Sequence, residues 1–232
     1  MSTGARTGTL PEGQVQAMFD RIAGVYDVMN SVMTAGLHHR WRERAADLAR
    51  VGPGSRALDV ATGTGDLALA LAARGAEVVG ADFSDGMLER ARAKAPGIRF
   101  EHADALALPY DDASFDAATV GFGARNLGDL GRGLSEMVRV VRPGGRVVIL
   151  EITTPTRPPL STFFSLWFDR VVPLLGKLAA DSEAYEYLPR SVKRFPGPVA
   201  LARLLREAGL DDVRWILTAG GIIALHHGTR PA

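Results

Sequence analysis

The chain of 232 residues contains no cysteine. Disulfides, thiolate zinc sites and a cysteine nucleophile are therefore excluded, and the redox compartment is left open. An excess of one charge is missing too: 27 Lys and Arg against 26 Asp and Glu give a formal net charge of +1. That balance argues against nucleic-acid binding driven by phosphate neutralisation. The opening MSTGARTGTLPEG lacks the apolar core of a secretory signal, so a cytoplasmic location is the simplest expectation. There is no internal repeat, long charge block or low-complexity tract. The histidines have no metal-ligand spacing with acids, so no metal site is expected. One apolar run, PLSTFFSLWFDRVVPLLGKLA, has the length of a membrane span, but Asp169 and Arg170 interrupt it and Pro173 breaks it.

What remains is ordinary for a folded chain, with 47% hydrophobic and 23% charged residues. The length suits one α/β domain. Residues 1–13 read as a flexible tail and 14–232 as a single domain, opened by a helical cap at 14–53. Two helical patterns make the cap, QVQAMFDRIAGVYDVMNSVM and LHHRWRERAADLAR, closed by VGPG. From Arg56 short apolar runs alternate with helical stretches, the pattern of βαβ units and a parallel sheet. RALDVA, AEVVGA, IRFEHA, FDAATVGF and GRVVILEI read as strands, with helices DLALALAARG, DGMLERARAKA and LGRGLSEMVRVVRPGG between them. DALALPYDDAS reads as irregular. A helical insertion at 153–194 follows the fifth strand, then a helix and two strands, VRWILTA and GIIALHH, separated by little more than two glycines. Those last strands should pair antiparallel. The expected fold class is α/β: a three-layer, doubly wound sheet of about seven mainly parallel strands with a C-terminal antiparallel hairpin.

The stretch GTGDLA, residues 63–68, fits a glycine turn between strand and helix. Gly63 and Gly65 let the backbone bend tightly and a ligand approach, which serves dinucleotide and other nucleoside binders alike. Asp59, at the tip of the first strand, discriminates: a carboxylate there opposes a pyrophosphate and favours a positively charged ligand. S-adenosylmethionine carries an ammonium and a sulfonium and no phosphate. Asp82, ending the second strand, is suited to accept hydrogen bonds from a ribose diol. Asp104, after the third strand, lies where an adenine amine could bind, with Ala105 leaving room for the base. For each acid alone a helix N-cap or solvated loop role competes; three at successive strand ends favour a site.

These residues resemble the class I S-adenosylmethionine-dependent methyltransferases, and within them the menaquinone and ubiquinone biosynthesis C-methyltransferase family. The resemblance runs from about Met18 to Gly228. It is carried by MFDRIAGVYDVMNSVMTAGLHHRWR, LDVATGTGDLAL, GADFSDGML, HADALALPYDDASFD, VGFGARNL, MVRVVRPGGRVVILE, YEYLPRSVKRFPG and TAGGIIALHHG. A generic methyltransferase would share the second and third stretches but not the first, FGARN or YEYLP. The resemblance implies methylation of the ring carbon of a reduced polyprenyl quinone, normally demethylmenaquinol to menaquinol, with methoxybenzoquinol methylation in ubiquinone synthesis as the alternative. It places cofactor contacts at Thr64, Asp82, Asp104, Ala105 and Gly121. Gly121 stands where serine is frequent, which removes a side-chain hydrogen bond. Ala124 replaces the usual leucine, and Arg190 stands where an acid is common.

Carbon methylation of a hydroquinone requires the hydroxyl to lose its proton, so the site needs a base or a cation that stabilises phenolate. Arg125 fits phenolate stabilisation or water-relayed deprotonation, and Asn126 fits ring orientation; pairing of Arg125 with a nearby acid competes. His38 and His39, beside Trp41, read equally as surface groups or as a base near the substrate, His102 as structural, and one of His226 and His227 as a core histidine. The apolar insertion reads as a cover with a greasy path for an isoprenoid tail, in peripheral contact with a membrane surface, or as ordinary core. Tyr26 and Met29 either close the other side or serve only to pack the cap helices. A homodimer is compatible with the pattern. Two other function classes fit less of the chain: a nicotinamide or flavin oxidoreductase, and a non-catalytic quinone-binding subunit.

Overall fold

The computed structural model of the protein describes residues 12–24, 26–171 and 182–232. Residues 1–11 of the expected tail lie outside this range; Glu12 and Gly13 already open helix α1 (Glu12–Ile22). Helix α2 (Tyr26–Thr34) follows, so the first cap pattern is two helices rather than one. The break falls at Ala23 and Gly24, where glycine supplies a low-propensity residue. Helix α3 (Leu37–Ala49) completes the cap.

The sheet comprises β1 (Arg56–Val60), β2 (Glu77–Asp82), β3 (Arg99–His102), β4 (Phe115–Gly121), β5 (Val141–Ile152), β6 (Asp211–Thr218) and β7 (Ile223–Thr229), in the spatial order β3-β2-β1-β4-β5-β7-β6. The first five strands pair in parallel, and β7 runs antiparallel to both β5 and β6. Strand order reverses between β1 and β4, so the carboxyl ends of those strands open the crevice in which such sheets bind ligands.

Alternation of side chains along each strand feeds two cores. Leu58, Val60, Val79, Val120 and Ile149 face α6 (Leu130–Val140) on one side of the sheet. Ala57, Val78, Val148 and Leu150 face α3 and helices α4 (Asp66–Ala72) and α5 (Asp85–Lys94) on the other. The insertion supplies α7 (Leu160–Leu166), a wide turn at Trp167–Val171 and α8 (Ser182–Arg194), and α9 (Pro198–Glu207) returns to the first core. Pro173 lies outside the described residues. No described helix is long and apolar enough to cross a membrane.

Strand β5 begins earlier than Pro143 and the two glycines suggest. Phe115 pairs with Val141 and Ala117 with Arg146, so the intervening residues form a bulge instead of a helix stop. A Cβ on Gly145 would lie 2.5 Å from the Asp116 carbonyl oxygen, so only glycine fits there. Arg230 fastens this bulge: its backbone exchanges hydrogen bonds with Gly144 and Gly145, and its Nη1 donates to the carbonyls of Arg139 and Val141. The β6–β7 hairpin is antiparallel as expected, although its turn spans Ala219–Gly221 and Ile222 rather than two glycines.

Candidate active site

A cavity of about 340 Å³ opens at the carboxyl ends of β1, β2 and β4, a volume in the usual range for a small-molecule site. It brings together Asp59, Gly63, Thr64, Asp82, Asp104, Ala105, Gly121 and Asn126, all anticipated from sequence. Arg125 is not among its lining residues. A second, smaller cavity of about 40 Å³ lies beside it, and Arg125 lines that one with Tyr187. Phe19 and Tyr26 line both.

Gly63 and Gly65 adopt positive φ, 56° and 85°, and a Cβ on Gly65 would lie 2.9 Å from the Phe100 ring. The turn is held from below by Asp82, whose Oδ2 accepts the Gly63 N–H at 2.8 Å and whose Oδ1 accepts the Ser84 N–H at 2.9 Å. Asp59 is 1% exposed and accepts the hydroxyls of Thr62 and Thr119 at 2.6 and 2.7 Å, one on each oxygen. It therefore contributes negative potential at the cavity wall while both oxygens are occupied. Burial pushes both carboxyls up to about 6, against the hydrogen bonds that favour their ionised forms. Asp104 is exposed, and its Oδ1 accepts the Leu106 N–H at 2.7 Å. Among the described residues lining the cavity, aspartates 59, 66, 82 and 104 face a single arginine, Arg42. The lining is net negative, which suits a sulfonium and opposes a diphosphate.

Arg42 was not anticipated. It is buried, pairs with Asp66 at 3.6 Å, bonds the His38 ring and stands 5.3 Å over the Phe122 ring. Its signal was the register of α3: residues 38, 42, 45, 46 and 49 form the buried stripe, so this arginine falls where an apolar residue belongs. His38, His39 and Asp66 converge, with one potential ligand atom from each within 4.8 Å, a grouping that linear spacing conceals. Arg42 beside His38, and Lys94 at 2.9 Å from Asp66, put positive charge against that cluster.

The cap is fastened over the crevice by side chains. Gln16 donates to the Phe83 carbonyl at 2.7 Å, and Asp20 accepts the Ser84 hydroxyl at 2.5 Å and the Gly86 N–H at 3.1 Å. Thr64 donates its hydroxyl to Asp27 at 2.6 Å, while Lys94 bridges Asp27, Thr64 and Asp66.

Arg125 follows β4 in a single 3₁₀ turn, Ala124–Asn126. Its Nη1 donates to Glu151 Oε1 at 2.7 Å and to the Phe122 carbonyl at 2.5 Å, and its backbone N–H reaches Glu151 Oε2 at 3.2 Å. The competing expectation of an acidic partner is thus met by Glu151, 1% exposed. Burial opposes the guanidinium charge, but the Glu151 carboxylate outweighs it and holds the pKa above its ordinary value. Arg125 Nε is nonetheless buried without a hydrogen-bond partner among the described residues. Asn126 Oδ1 accepts the Tyr187 hydroxyl at 3.1 Å.

The sheet order, the glycine turn and its acids correspond to a methyltransferase architecture, and comparison decides the matter. The ubiE/COQ5 methyltransferase family profile matches residues 8–230. This chain belongs to that family. It is 48% identical over 221 residues to the demethylmenaquinone methyltransferase of Thermus thermophilus, covering 92% of this chain and 100% of that protein. The demethylmenaquinone methyltransferase of Clavibacter sepedonicus is 44% identical over 224 residues, covering 95% of this chain and 91% of that one. Among solved structures, the [4+2]-cyclase SpnF superposes with a TM-score of 0.73 at 20% identity, covering 97% and 98% of the two chains. Phosphoethanolamine N-methyltransferase 2 of Haemonchus contortus, in complex with S-adenosyl-L-methionine, gives 0.60 at 14% identity over 80% of this chain and 51% of that one. These structural likenesses establish the class I methyltransferase fold; a cyclase sharing it illustrates that the fold alone does not fix the reaction.

At the methyltransferase's periphery one expectation changes and another is met. Within the described part of the apolar insertion, none of residues 159–168 lines either cavity; Phe164 and Phe168 pack instead with Val192, Ile152 and Ile222. The insertion reaches the site through Tyr187 and Leu188 of α8. His226 is the core histidine, bonded through Nε2 to the Pro198 carbonyl at 2.9 Å, whereas His227 is half-buried beside Arg146.

Proposed function

We propose that the protein methylates the ring carbon of demethylmenaquinol to give menaquinol, using S-adenosylmethionine. Relatives named for that reaction, matched over almost their whole length, favour the naphthoquinol over a methoxybenzoquinol. S-adenosylmethionine, when bound, supplies a methyl group already activated on a sulfonium. The residues present suit it: Asp82 for the ribose hydroxyls, Asp104 and Ala105 for the base, the Gly63–Thr64–Gly65 turn and Gly121 for close backbone approach, and the negative field of Asp59 for the cationic end. Arg42, the cavity's arginine, suits the ligand's carboxylate. Replacing Arg42 by methionine should then weaken S-adenosylmethionine by about tenfold to a hundredfold, the loss of one charge-assisted hydrogen bond. 5′-Methylthioadenosine, which has no carboxylate, should bind both proteins alike. Equal weakening of the two ligands by calorimetry would sink this role for Arg42.

The observation that carries the catalytic reading is the buried Nε–H of Arg125, which has no partner among the described residues. A buried donor left unpaired is costly, and a quinol oxygen beside it would satisfy it. A guanidinium held protonated by Glu151 is a poor base and a good phenolate stabiliser, so of its two roles the second is favoured. Arg125 lowers the pKa of the quinol hydroxyl and releases that proton to water, leaving charge on the ring carbon beside it. Asn126, fixed by Tyr187 and lining the donor cavity, orients the ring. Phe19, Tyr26 and Leu127 exclude water. The prenylated substrate belongs to a lipid phase, and exposed Leu160, Phe163 and Leu166 on α7 support peripheral contact of a cytoplasmic protein with the membrane surface. Incubation with methyl-labelled S-adenosylmethionine and each reduced demethyl quinone should label the naphthoquinol in preference to the methoxybenzoquinol. Label on neither would overturn the reading.

A further inference from the structure

The 40 Å³ cavity beside the donor site has walls unlike those of its neighbour. Met18, Ile22, Met29, Met33 and Leu188 enclose it, and the polar groups that converge on it are Asn30, Arg125 and the two tyrosines, Tyr26 and Tyr187. Met18 and Ile22 on α1 are buried; Met29 and Met33 are half-buried, one helical turn apart on α2, with Val28 and Val32 exposed on the side away from it. Met29 and Met33 thus line the cavity together with Arg125 while remaining partly open to solvent. We infer that this cavity, between α1, α2 and α8, receives the first isoprene units of the substrate's prenyl chain, and that the methionines of the cap, rather than the insertion's α7, form the tail path. The inference rests on the proposed quinol methylation and specifies where that substrate leaves the catalytic chamber.

Three observations support it. First, the cavity is continuous with the catalytic residues: Phe19 and Tyr26, 6.2 Å apart edge to face, divide it from the donor cavity, and Arg125 lies on its wall. The larger cavity is net negative, whereas the smaller, on whose wall Arg125 lies, carries no carboxylate among the described residues and is walled mainly by methionine, isoleucine and leucine side chains. Second, of the two aromatic residues of α7, Phe164 is committed to a cluster closed by Val192 and Ile222 and Phe163 is exposed, and neither lines the cavity. Third, a void with room for only a few water molecules must expand to admit hydrocarbon, and unbranched methionine side chains are the type that yields without backbone change. Burial of one five-carbon unit removes several apolar groups from water.

The test compares wild type with Met33→Trp, which fills the path, and Met33→Leu, which keeps its volume and apolarity. Each is assayed with a geranyl-substituted demethylnaphthoquinol and with the same quinol bearing no tail, and far-ultraviolet circular dichroism and thermal midpoints verify folding. The ratio of kcat/KM for the two substrates should fall at least tenfold in the tryptophan variant and stay within threefold of wild type in the leucine variant. Equilibrium dialysis of the corresponding oxidised quinones, without cofactor, reads the same preference independently of turnover; it also decides for any variant that folds poorly, because wild type must itself hold the geranyl compound at least tenfold more tightly. An unchanged ratio in a folded Met33→Trp protein, or equal wild-type affinity for the two quinones, overturns the tail path and leaves the methylation reading intact. Tail-dependent binding without any turnover would overturn that reading and leave the subsite standing.

Discussion

Replacing Arg125 by leucine should lower turnover of the quinol by about 10²–10³-fold, the usual consequence of removing one donor aimed at developing negative charge. The same change leaves Glu151 buried without its guanidinium partner, and breaking a buried pair destabilises a protein by about 3–5 kcal/mol. Loss of activity alone is therefore ambiguous. A double variant separates the causes: with Glu151→Leu added, the stranded carboxylate disappears and most of the stability should return in urea denaturation. Turnover should not. If the double variant recovered activity along with stability, Arg125 would be a structural ion-pair partner and the phenolate would need another stabiliser. A single Glu151→Gln variant should fall between, because its amide can still accept from Arg125 but no longer supports the charge.

Acidification through pH 6 should loosen S-adenosylmethionine by about tenfold to a hundredfold between pH 7 and pH 5, as two carboxylates near the cation take up protons. Asp59 and Asp82 both stand at about 6 in the folded chain, raised by burial from an ordinary value near 3.8. The sign for folding is opposite to that for binding. A carboxyl raised by folding contributes stability that is complete below pH 4 and is lost as pH rises through about 6, so the free protein is more acid-tolerant than its aspartate content suggests. The cation reverses this preference by favouring the ionised forms. His38, pushed down to about 4 by burial and by Arg42 and His39, stays neutral through the window and adds nothing to the slope. S-adenosylhomocysteine, which lacks the sulfonium charge, should show a shallower pH dependence in calorimetry. Asp82→Asn should weaken the cofactor by about 10²-fold at pH 7, consistent with charged-acceptor hydrogen bonds worth about 1.5–3 kcal/mol each, and should flatten the pH slope. An Asp82→Asn protein retaining the wild-type slope would show that another group governs it.

Most of the sheet was legible because β1, β2, β4 and β5 are short apolar runs closed by turn residues, a pattern that needs no tertiary context. The acids at the strand tips were legible for the same reason: a charge ending a buried run has few explanations. What could not be read was set by packing between distant segments. Arg42 lies on the apolar stripe of α3, but flanking Arg40 and Arg44 hide it in a charged stretch. The division of α1 from α2 rests on one weak signal, Gly24. Pro143 and its glycines resemble a helix terminus in sequence and become a bulge because β4 offers Phe115 and Ala117 as partners on either side. Apolar content in the insertion identified buried aromatics without revealing that they pack away from the chamber.

The position of β7 also governs when the sheet can be completed. β5 and β6 are both synthesised before the strand that lies between them. Until residues 223–229 have emerged, each presents a row of bare backbone donors and acceptors, and β5 has no neighbour on that flank. The nascent protein thus passes through a stage in which half-finished edges can join to other chains; the pairing of β7 ends it, and Arg230, directly after that strand, then closes over the β5 bulge.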